Sequence, residues 1–298
     1  MKEKNFQPAI IALIAVIVIV AVVLSLAFSQ GGFSLSGSVA VVKLEGEIST
    51  ENQAFTSSAN AFDIVKQLAS AEKDPSVKSI LLEINSPGGS IVASNQIAEK
   101  IKSMKKPVVS WISDIGASGA YEVAASTDFI IADPDSLTGS IGVIAILPDY
   151  QGLLEKIGVK FRIFKEGELK DLGSPFREFT EEEKIVFQNL LSEAFASFKS
   201  KVLEFRKGKL DIQAFEKIAD GRILNGRQAK EIGLIDGLGS REQALVKAGE
   251  LGGIKGIPAE KNFSAKEISI ADVFSRIGYS FGSGFKSGIQ NSVPSIKS

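Results

Sequence analysis

The sequence predicts an α/β protein in which helices cover a largely parallel β-sheet, and it places one transmembrane helix in front of this domain. Short apolar runs rich in β-branched residues alternate along the chain with longer segments in which apolar residues recur at helical spacing. Such alternation is typical of parallel sheets covered by helices. Residues 8–28 are apolar almost without interruption, which is enough to cross a bilayer.

The composition excludes several kinds of active site. The 298 residues include no His and no Cys, so Ser-His-Asp triads, cysteine proteases and nearly every zinc site are excluded. We expect no metal and no cofactor. The net charge of −1 gives no indication of a nucleic-acid partner. The length suffices for one domain of roughly 200–250 residues with appendages.

The apolar N-terminal segment predicts a single-pass membrane anchor at residues 8–28. Lys2 and Lys4 precede it, whereas residues 29–42 carry no charge. The positive-inside rule therefore places residues 1–7 in the cytoplasm and the rest of the chain on the extracytoplasmic side.

A cleaved signal peptide is the alternative interpretation, with Ser25-Leu26-Ala27 as a possible cleavage site. The apolar core of a signal peptide is normally about 7–15 residues long. The longer run here favours an uncleaved anchor. Residues 29–38, rich in Gly and Ser, then form a linker.

The region 39–251 is predicted to form the folded domain, in which strands and helices follow one another. Because sites in parallel sheets lie where strands end and helices begin, the strand ends are the places to search for function. The predicted strands are 39–44, 79–84, 108–112, 129–132, 141–147 and 159–164. The predicted helices are 61–71, 91–104, one from residue 118, 150–157, 180–205 and 241–251, with short helical pieces within 219–238.

Ser118 is the candidate nucleophile. It follows the apolar run 108–112 in a turn of small residues, between Gly116 and Gly119, before the next helix. Turns of this kind are also common as plain packing features. Without His, an activated serine needs Lys, Asp, Glu or an α-amino group as its base, and Lys has precedent in Ser-Lys sites.

A second strand end carries the turn Asn85-Ser86-Pro87-Gly88-Gly89. Paired glycines can adopt backbone conformations barred to other residues and leave amide N–H groups pointing outward. Beside Ser118, the amides of Gly89 and Gly119 could form a two-donor oxyanion hole. An ordinary strand-turn-helix corner is the alternative interpretation.

Together these stretches resemble the short form of the signal peptide peptidase A family, membrane-anchored Ser/Lys proteases with the ClpP/crotonase fold. The resemblance covers about residues 39–239, and the combination of motifs is more specific than any one of them. The matching stretches are Asn85-Ser86-Pro87-Gly88-Gly89, Gly116-Ala117-Ser118-Gly119-Ala120-Tyr121, Leu137-Thr138-Gly139-Ser140-Ile141-Gly142-Val143, Leu169-Lys170-Asp171-Leu172-Gly173-Ser174-Pro175-Phe176-Arg177, and Ala219-Asp220-Gly221-Arg222 with Gly226-Arg227-Gln228-Ala229.

The resemblance implies roles for individual residues. Ser118 corresponds to the nucleophile, Lys170 to the general base and the Gly89 amide to an oxyanion donor, and the Ser140 hydroxyl is implied to lie beside the lysine amine. To act as a base, Lys170 must be neutral, which burial in an apolar cleft favours. We therefore expect the neighbouring Asp171 carboxylate to point away from it.

The sequence departs from the family pattern at Glu122, where relatives often have a second Tyr after Tyr121. We expect this difference to alter local packing rather than chemistry.

The family resemblance also implies substrates and partners. Remnant signal peptides and other hydrophobic segments are the implied substrates, and a ring-shaped homo-oligomer, in some relatives needed to complete the site, is the implied assembly. The apolar stripe of the helix 180–205 fits core packing or a subunit interface. The extension 252–298 could be a docking arm or a segment at the membrane surface.

Other functions remain open at this point. A stomatin-associated membrane protease of the related ClpP-like clan would keep the Ser and Lys but lacks the stretch Ser174-Pro175-Phe176-Arg177. A non-catalytic membrane scaffold would tolerate the loss of Ser118. A crotonase-type acyl-CoA enzyme fits the fold less well, because of the anchor and the Lys170 stretch. An α/β-hydrolase would need a His that the chain lacks and Gly in place of Ala120.

Overall fold

A computed structural model describes residues 37–51 and 58–264, together with Val16 and Val18. Within these residues, no helix has both the length and the apolar character needed to cross a bilayer. The predicted anchor 8–28 lies outside the described residues, apart from Val16 and Val18. The predicted linker, up to residue 36, and most of the extension, from residue 265 on, also lie outside them.

The domain is built on an eight-stranded sheet of the predicted type. The strands of this sheet are β1 (Ser38–Glu45), β4 (Val77–Ser86), β5 (Val108–Ala117), β6 (Phe129–Ala132), β7 (Leu137–Gly139), β8 (Ile223–Asn225), β9 (Gly237–Leu238) and β10 (Ala259–Asn262), while β2 (Glu47–Ser49) and β3 (Ser58–Asn60) form a separate parallel pair. The order of strands across the sheet is β10-β1-β4-β5-β6-β9, and β7 pairs with both β5 and β8. All pairs are parallel except β7 with β8.

The sheet is buried on both faces. In β5, Val108 and Ile112 contribute to the larger apolar cluster on one face, and Val109 contributes to a smaller cluster on the other. Successive side chains of a strand point to opposite faces of the sheet. Because both faces are buried, the central strands are mostly apolar along their length. The helix at the C-terminal end of the domain covers the smaller cluster with Leu245 and Ala248.

The helices begin at residues that cap them. Asn60 caps the helix that begins at Ala61, Ser90 caps the helix that begins at Ile91, and Thr180 forms a capping box with Glu183 at the start of the longest helix. The helices are α1 (Ala61–Lys73), α2 (Ile91–Lys102), α3 (Gly119–Ala125), α4 (Gln151–Lys156), α5 (Glu181–Phe205), α6 (Ile212–Ile218), α7 (Gly226–Glu231) and α8 (Arg241–Leu251).

Two predicted strands are wrong. The segments 141–147 and 159–164 contain no strand, and the preceding strand β7 ends at Gly139. Their apolar side chains lie largely in solvent: Ile146 is 82% exposed and Phe164 is 92% exposed. A strand requires a partner, and among the described residues none pairs with either segment.

The domain extends beyond the predicted boundary at residue 251. Strand β10 pairs in parallel with β1, with Ser38 opposite Ala259 and Val41 opposite Asn262. The beginning of the predicted extension is therefore part of the sheet. This strand is hard to recognise from the sequence, because its side chains are exposed and mostly polar.

The long helix α5 has two different halves. Near its C-terminal end, Phe198 and Val202 are buried in the main core. Near its N-terminal end, Ile185 is 61% exposed and Leu190 is 54% exposed. The apolar stripe of α5 therefore packs in the core near the C-terminal end of the helix and is exposed near its N-terminal end.

Candidate active site

Ser118 lies at the carboxyl end of β5, between the strand and α3. Its φ of 54° is positive, and the only other described non-glycine residue with a positive φ is Ser140, at 50°. The Ser118 amide donates a hydrogen bond of 2.9 Å to the carbonyl of Gly139 at the end of β7. Non-glycine residues in such conformations store strain of on the order of 1–3 kcal/mol and cluster at active sites. Both strained residues are sequence-predicted site residues.

Gly88 packs directly against this turn. A Cβ atom added to it would lie 2.9 Å from the Cβ of Ser118 and 2.8 Å from the amide nitrogen of Gly119. Its φ of 100° is also unfavourable for any residue with a side chain. The first glycine of the loop therefore allows close contact between the loop and the nucleophile turn.

Gly89 is held in place by β2. The amide of Ile48 donates to the Gly88 carbonyl, and the Ser90 amide donates to the Ile48 carbonyl, each at 2.8 Å. A Cβ on Gly89 would come within 2.2 Å of the Ile48 carbonyl oxygen. Strand β2 was not predicted, because no motif in its three residues indicates this role.

The amides of Gly89 and Gly119 are neighbours, and neither has a hydrogen-bond acceptor among the described residues. A Cβ built on Gly119 would lie 3.7 Å from the Gly89 nitrogen. In the part of the chain that the structure describes, neither amide donates a backbone hydrogen bond. The Gly119 amide belongs to the first turn of α3, where N–H groups have no acceptor within the helix. Two free donors beside a serine suit a developing oxyanion.

These groups open into a pocket with a volume of about 170 Å³. Ser118, Gly89 and Gly119 contribute to its lining. Most of the remaining lining is apolar, and one part of it is charged. The apolar side chains include Ile91, Val143, Ile144 and Phe198.

The charged part of the lining consists of Glu122 and Lys201. Glu122 is buried, and Lys201 Nζ donates to its Oε1 at 3.2 Å and also to Asn95 Oδ1. Burial raises the pKa of Glu122, although the charge and hydrogen bond of Lys201 oppose that shift. Glu122 thus lines the pocket of the candidate nucleophile, and the expectation that it alters packing rather than chemistry stays a prediction.

A sequence signal for Glu122 existed. Residues four apart on a helix share a face, so Glu122 lies one turn below Ser118. Nothing in the sequence could have paired it with Lys201, because that contact depends on how α5 crosses α3.

The structure does not bring Lys170 to Ser118. Lys170 is exposed in the turn before α5 and does not contribute to the pocket, whose lining lysine is Lys201. The carboxylate of Asp171 points away from Lys170, as predicted. Hydrogen bonds from Arg177 and Lys165 engage it and hold its pKa well below the usual range.

Ser140 lies where β7 ends, near the Ser118 turn. Its amide donates to the Arg222 carbonyl at 2.9 Å, and its side chain is half-buried. Among the described residues, no hydrogen bond joins it to Lys170. The position of Ser140 next to Lys170 stays a prediction.

Comparison with known proteins identifies the family. The sequence model of peptidase family S49 matches residues 100–255, and that of Clp protease matches residues 39–129. A candidate protease of Methanocaldococcus jannaschii is 40% identical over 222 residues, which is 74% of this chain and 71% of that protein. The chain belongs to peptidase family S49. Family S49 membership makes it a serine peptidase and confirms the predicted resemblance.

Other S49-type relatives are longer than the matched region. A candidate signal peptide peptidase SppA of Enterococcus faecium is 41% identical over 62% of this chain and 54% of its own length. Protease 4 of Haemophilus influenzae is 31% identical over 78% of this chain and 38% of its own length. The Clp protease match agrees with the parallel sheet and helices of the fold.

Proposed function

We propose that this S49 peptidase is a membrane-anchored serine endopeptidase that cleaves remnant signal peptides and other hydrophobic segments. The observation that carries the proposal is the strained Ser118, which faces a pocket beside the two unpaired amides of Gly89 and Gly119. The relatives named signal peptide peptidase and Protease 4 support the substrate class. The predicted anchor at residues 8–28 would keep the extracytoplasmic domain at the membrane.

In the proposed mechanism, Ser118 Oγ attacks the scissile carbonyl while neutral Lys170 accepts the hydroxyl proton. The amides of Gly89 and Gly119 stabilise the oxyanion, and Lys170 returns the proton to the leaving amine. Lys170 then deprotonates the water that hydrolyses the acyl-enzyme. Ser140 is assigned to orient the Lys170 amine.

We assign Lys170 to the Ser118 of a neighbouring copy of the chain. Three observations support this: Lys170 is exposed, it does not line the pocket of its own chain, and the segment 141–176 around it has many exposed apolar side chains. Large exposed apolar patches mark interaction sites. Docking of this segment on a neighbour would bury the patch and bring the amine into a drier environment.

The test is hydrolysis of an internally quenched hydrophobic peptide by the full chain in detergent micelles. Ser118→Ala should lower kcat by about 10⁴-fold or more, and Lys170→Ala should lower it by about 10²–10⁴-fold. Two matched controls, Ser103→Ala and Lys255→Ala, change exposed residues of the same types outside the segment 141–176 and should keep activity. Full activity of either site variant would overturn its assignment.

A further inference from the structure

The end of the sheet at which the parallel strands begin, opposite the Ser118 end, is rich in lysine. The segments 72–78, 102–107 and 126–128 lead into β4, β5 and β6 there. The segment 207–209 joins them, because Lys209 Nζ donates to the Asp128 carbonyl at 3.1 Å. We call these four segments the lysine surface. Its lysines are Lys73, Lys78, Lys102, Lys105, Lys106, Lys207 and Lys209.

The positive charge of the lysine surface is largely uncompensated. Against seven lysines, the four segments hold three carboxylates, Glu72, Asp74 and Asp128, which leaves a net charge of +4 in a chain whose total is −1. All three carboxylates already accept hydrogen bonds within the fold. In the part of the chain that the structure describes, Lys209 alone of the seven lysines forms an ion pair, with Asp236. Six of the seven side chains are exposed.

The chain enters the domain at this same surface. Gly37 lies against the side chain of Lys78, and the Ser38 amide donates to the Ser76 carbonyl at 2.8 Å. The predicted anchor ends at residue 28, and the eight residues 29–36 can span at most about 30 Å. A membrane anchor at residues 8–28 would therefore hold the lysine surface close to the bilayer.

An exposed apolar side chain accompanies the lysines. Ile257 lies in the turn before β10, whose first residue, Ala259, is the partner of Ser38 in the sheet. Its side chain is 77% exposed. Surfaces that combine basic and apolar side chains suit the boundary between lipid headgroups and acyl chains.

We propose that the lysine surface docks on anionic lipid headgroups of the bilayer that holds the anchor. Each lysine near an anionic membrane surface strengthens the attraction by about fivefold. The strand β5 runs from this surface to Ser118, so ten residues at about 3.3 Å each place the nucleophile roughly 30 Å from the headgroups. A hydrophobic segment then reaches Ser118 only after it has left the bilayer. This inference rests on the membrane anchor of the proposed function.

The experiment measures which end of the domain faces the lipid. The chain contains no Cys, so Ser103→Cys on the lysine surface and Glu45→Cys at the opposite end of β1 each provide a single thiol for a fluorophore. The full chain is placed in nanodiscs whose headgroups carry a nitroxide quencher. The discs contain either phosphatidylcholine or an equal mixture of phosphatidylcholine and phosphatidylglycerol.

We expect the ratio of quenching, Ser103→Cys over Glu45→Cys, to be at least about twofold higher in the anionic discs than in the neutral discs. Docking by charge brings the first fluorophore to the headgroups and keeps the second away from them. An equal or lower ratio in the anionic discs would overturn the proposal.

Charge reversals then connect the effect to the lysine surface. Lys105→Glu combined with Lys207→Glu should weaken docking by at least about 25-fold and remove the rise in the ratio. The matched control, Lys184→Glu combined with Lys217→Glu, changes the net charge equally in the first turn of α5 and on α6, outside the lysine surface, and should keep the rise. A rise that persists in the first pair, or that disappears in the control, would overturn the proposal.

Recovery of the chain with the discs separates this inference from the anchor on which it rests. A chain that is not recovered with either kind of disc would overturn both the anchor and the docking. A chain that is recovered with both kinds, but whose quenching ratio does not respond to lipid charge, would retain the anchor and overturn the docking alone.

Discussion

At the scale of single residues, the site depends on how closely the Gly88 loop approaches the Ser118 turn. The space between them is filled, because an added Cβ on Gly88 would lie within 3 Å of Ala117, Ser118 and Gly119. A methyl group added to Gly88 would therefore push the loop and the Ser118 turn apart.

Gly88→Ala should reduce kcat by about 100-fold, because a displacement of about 1 Å at reacting atoms costs on this order. Peptide hydrolysis by the folded variant measures it. Gly208→Ala is the matched control, since its φ of 79° is also positive and its added Cβ meets nothing within 4 Å. Wild-type activity in Gly88→Ala would show that the loop is not part of the catalytic machinery.

Most of the candidate site could be predicted from the sequence at this scale. The residues that were not predicted share one physical reason. Ser118, Gly89 and Gly119 belong to motifs read from adjacent residues, at strand ends that a parallel sheet brings together. Glu122 and Lys201 face each other only because α3 and α5 cross, and no local pattern encodes a crossing.

At the scale of elements, the end of α5 is tied to the sheet by a buried ion pair. Arg206, at the C-terminal cap of α5, is 1% exposed and donates to Asp236 at 2.8 and 3.1 Å. Asp236 also accepts from the Ile130 amide of β6 at 2.8 Å. Burial raises the pKa of Asp236, but the hydrogen bonds and charge of Arg206, together with hydrogen bonds from Lys209 and the Ile130 amide, outweigh it and hold that pKa below its ordinary value.

Asp236→Asn should lower the free energy of unfolding by about 3–5 kcal/mol at neutral pH, because it leaves the Arg206 charge buried without its partner. Since folding depresses the Asp236 pKa, its stabilisation is present above the unfolded-state pKa of about 3.9 and is lost as pH falls through the lower folded value. The difference in the free energy of unfolding between wild type and Asp236→Asn should therefore decrease at acidic pH.

Urea unfolding at neutral pH and below about pH 3.9 measures both effects. The control is Asp220→Asn, which breaks an exposed pair with Arg222 and should have little effect. Equal destabilisation by the two variants at neutral pH would contradict the role given to the buried pair.

The elements that the sequence predicted are those whose partners lie in the same chain. Strands 79–84, 108–112 and 129–132 were recognisable because both their faces are buried, and the structure lengthens the first two. The segments 141–147 and 159–164 are also rich in apolar residues, but no described strand pairs with them. A segment rich in apolar β-branched residues tends to be buried, but its composition does not show which element buries it.

At the scale of the whole molecule, a single chain holds the proposed nucleophile and the proposed base in separate places. Ser118 and the oxyanion donors lie in one pocket, while Lys170 lies on an exposed segment with uncovered apolar side chains such as Ile146 and Phe164. An assembly of identical chains would cover those side chains and join the two parts. We therefore propose that Ser118 of one copy and Lys170 of a neighbour form the working site.

Mixed oligomers test this claim most directly. Ser118→Ala and Lys170→Ala chains with different tags are expressed together, and assemblies that contain both are isolated by successive affinity steps. We expect each variant alone to be inactive and the mixture to regain hydrolysis, because some sites pair an intact Ser118 with an intact Lys170. Ser118→Ala chains with two different tags, purified in the same way, should stay inactive. A mixture that contains both variants and is as inactive as its parents would contradict the claim.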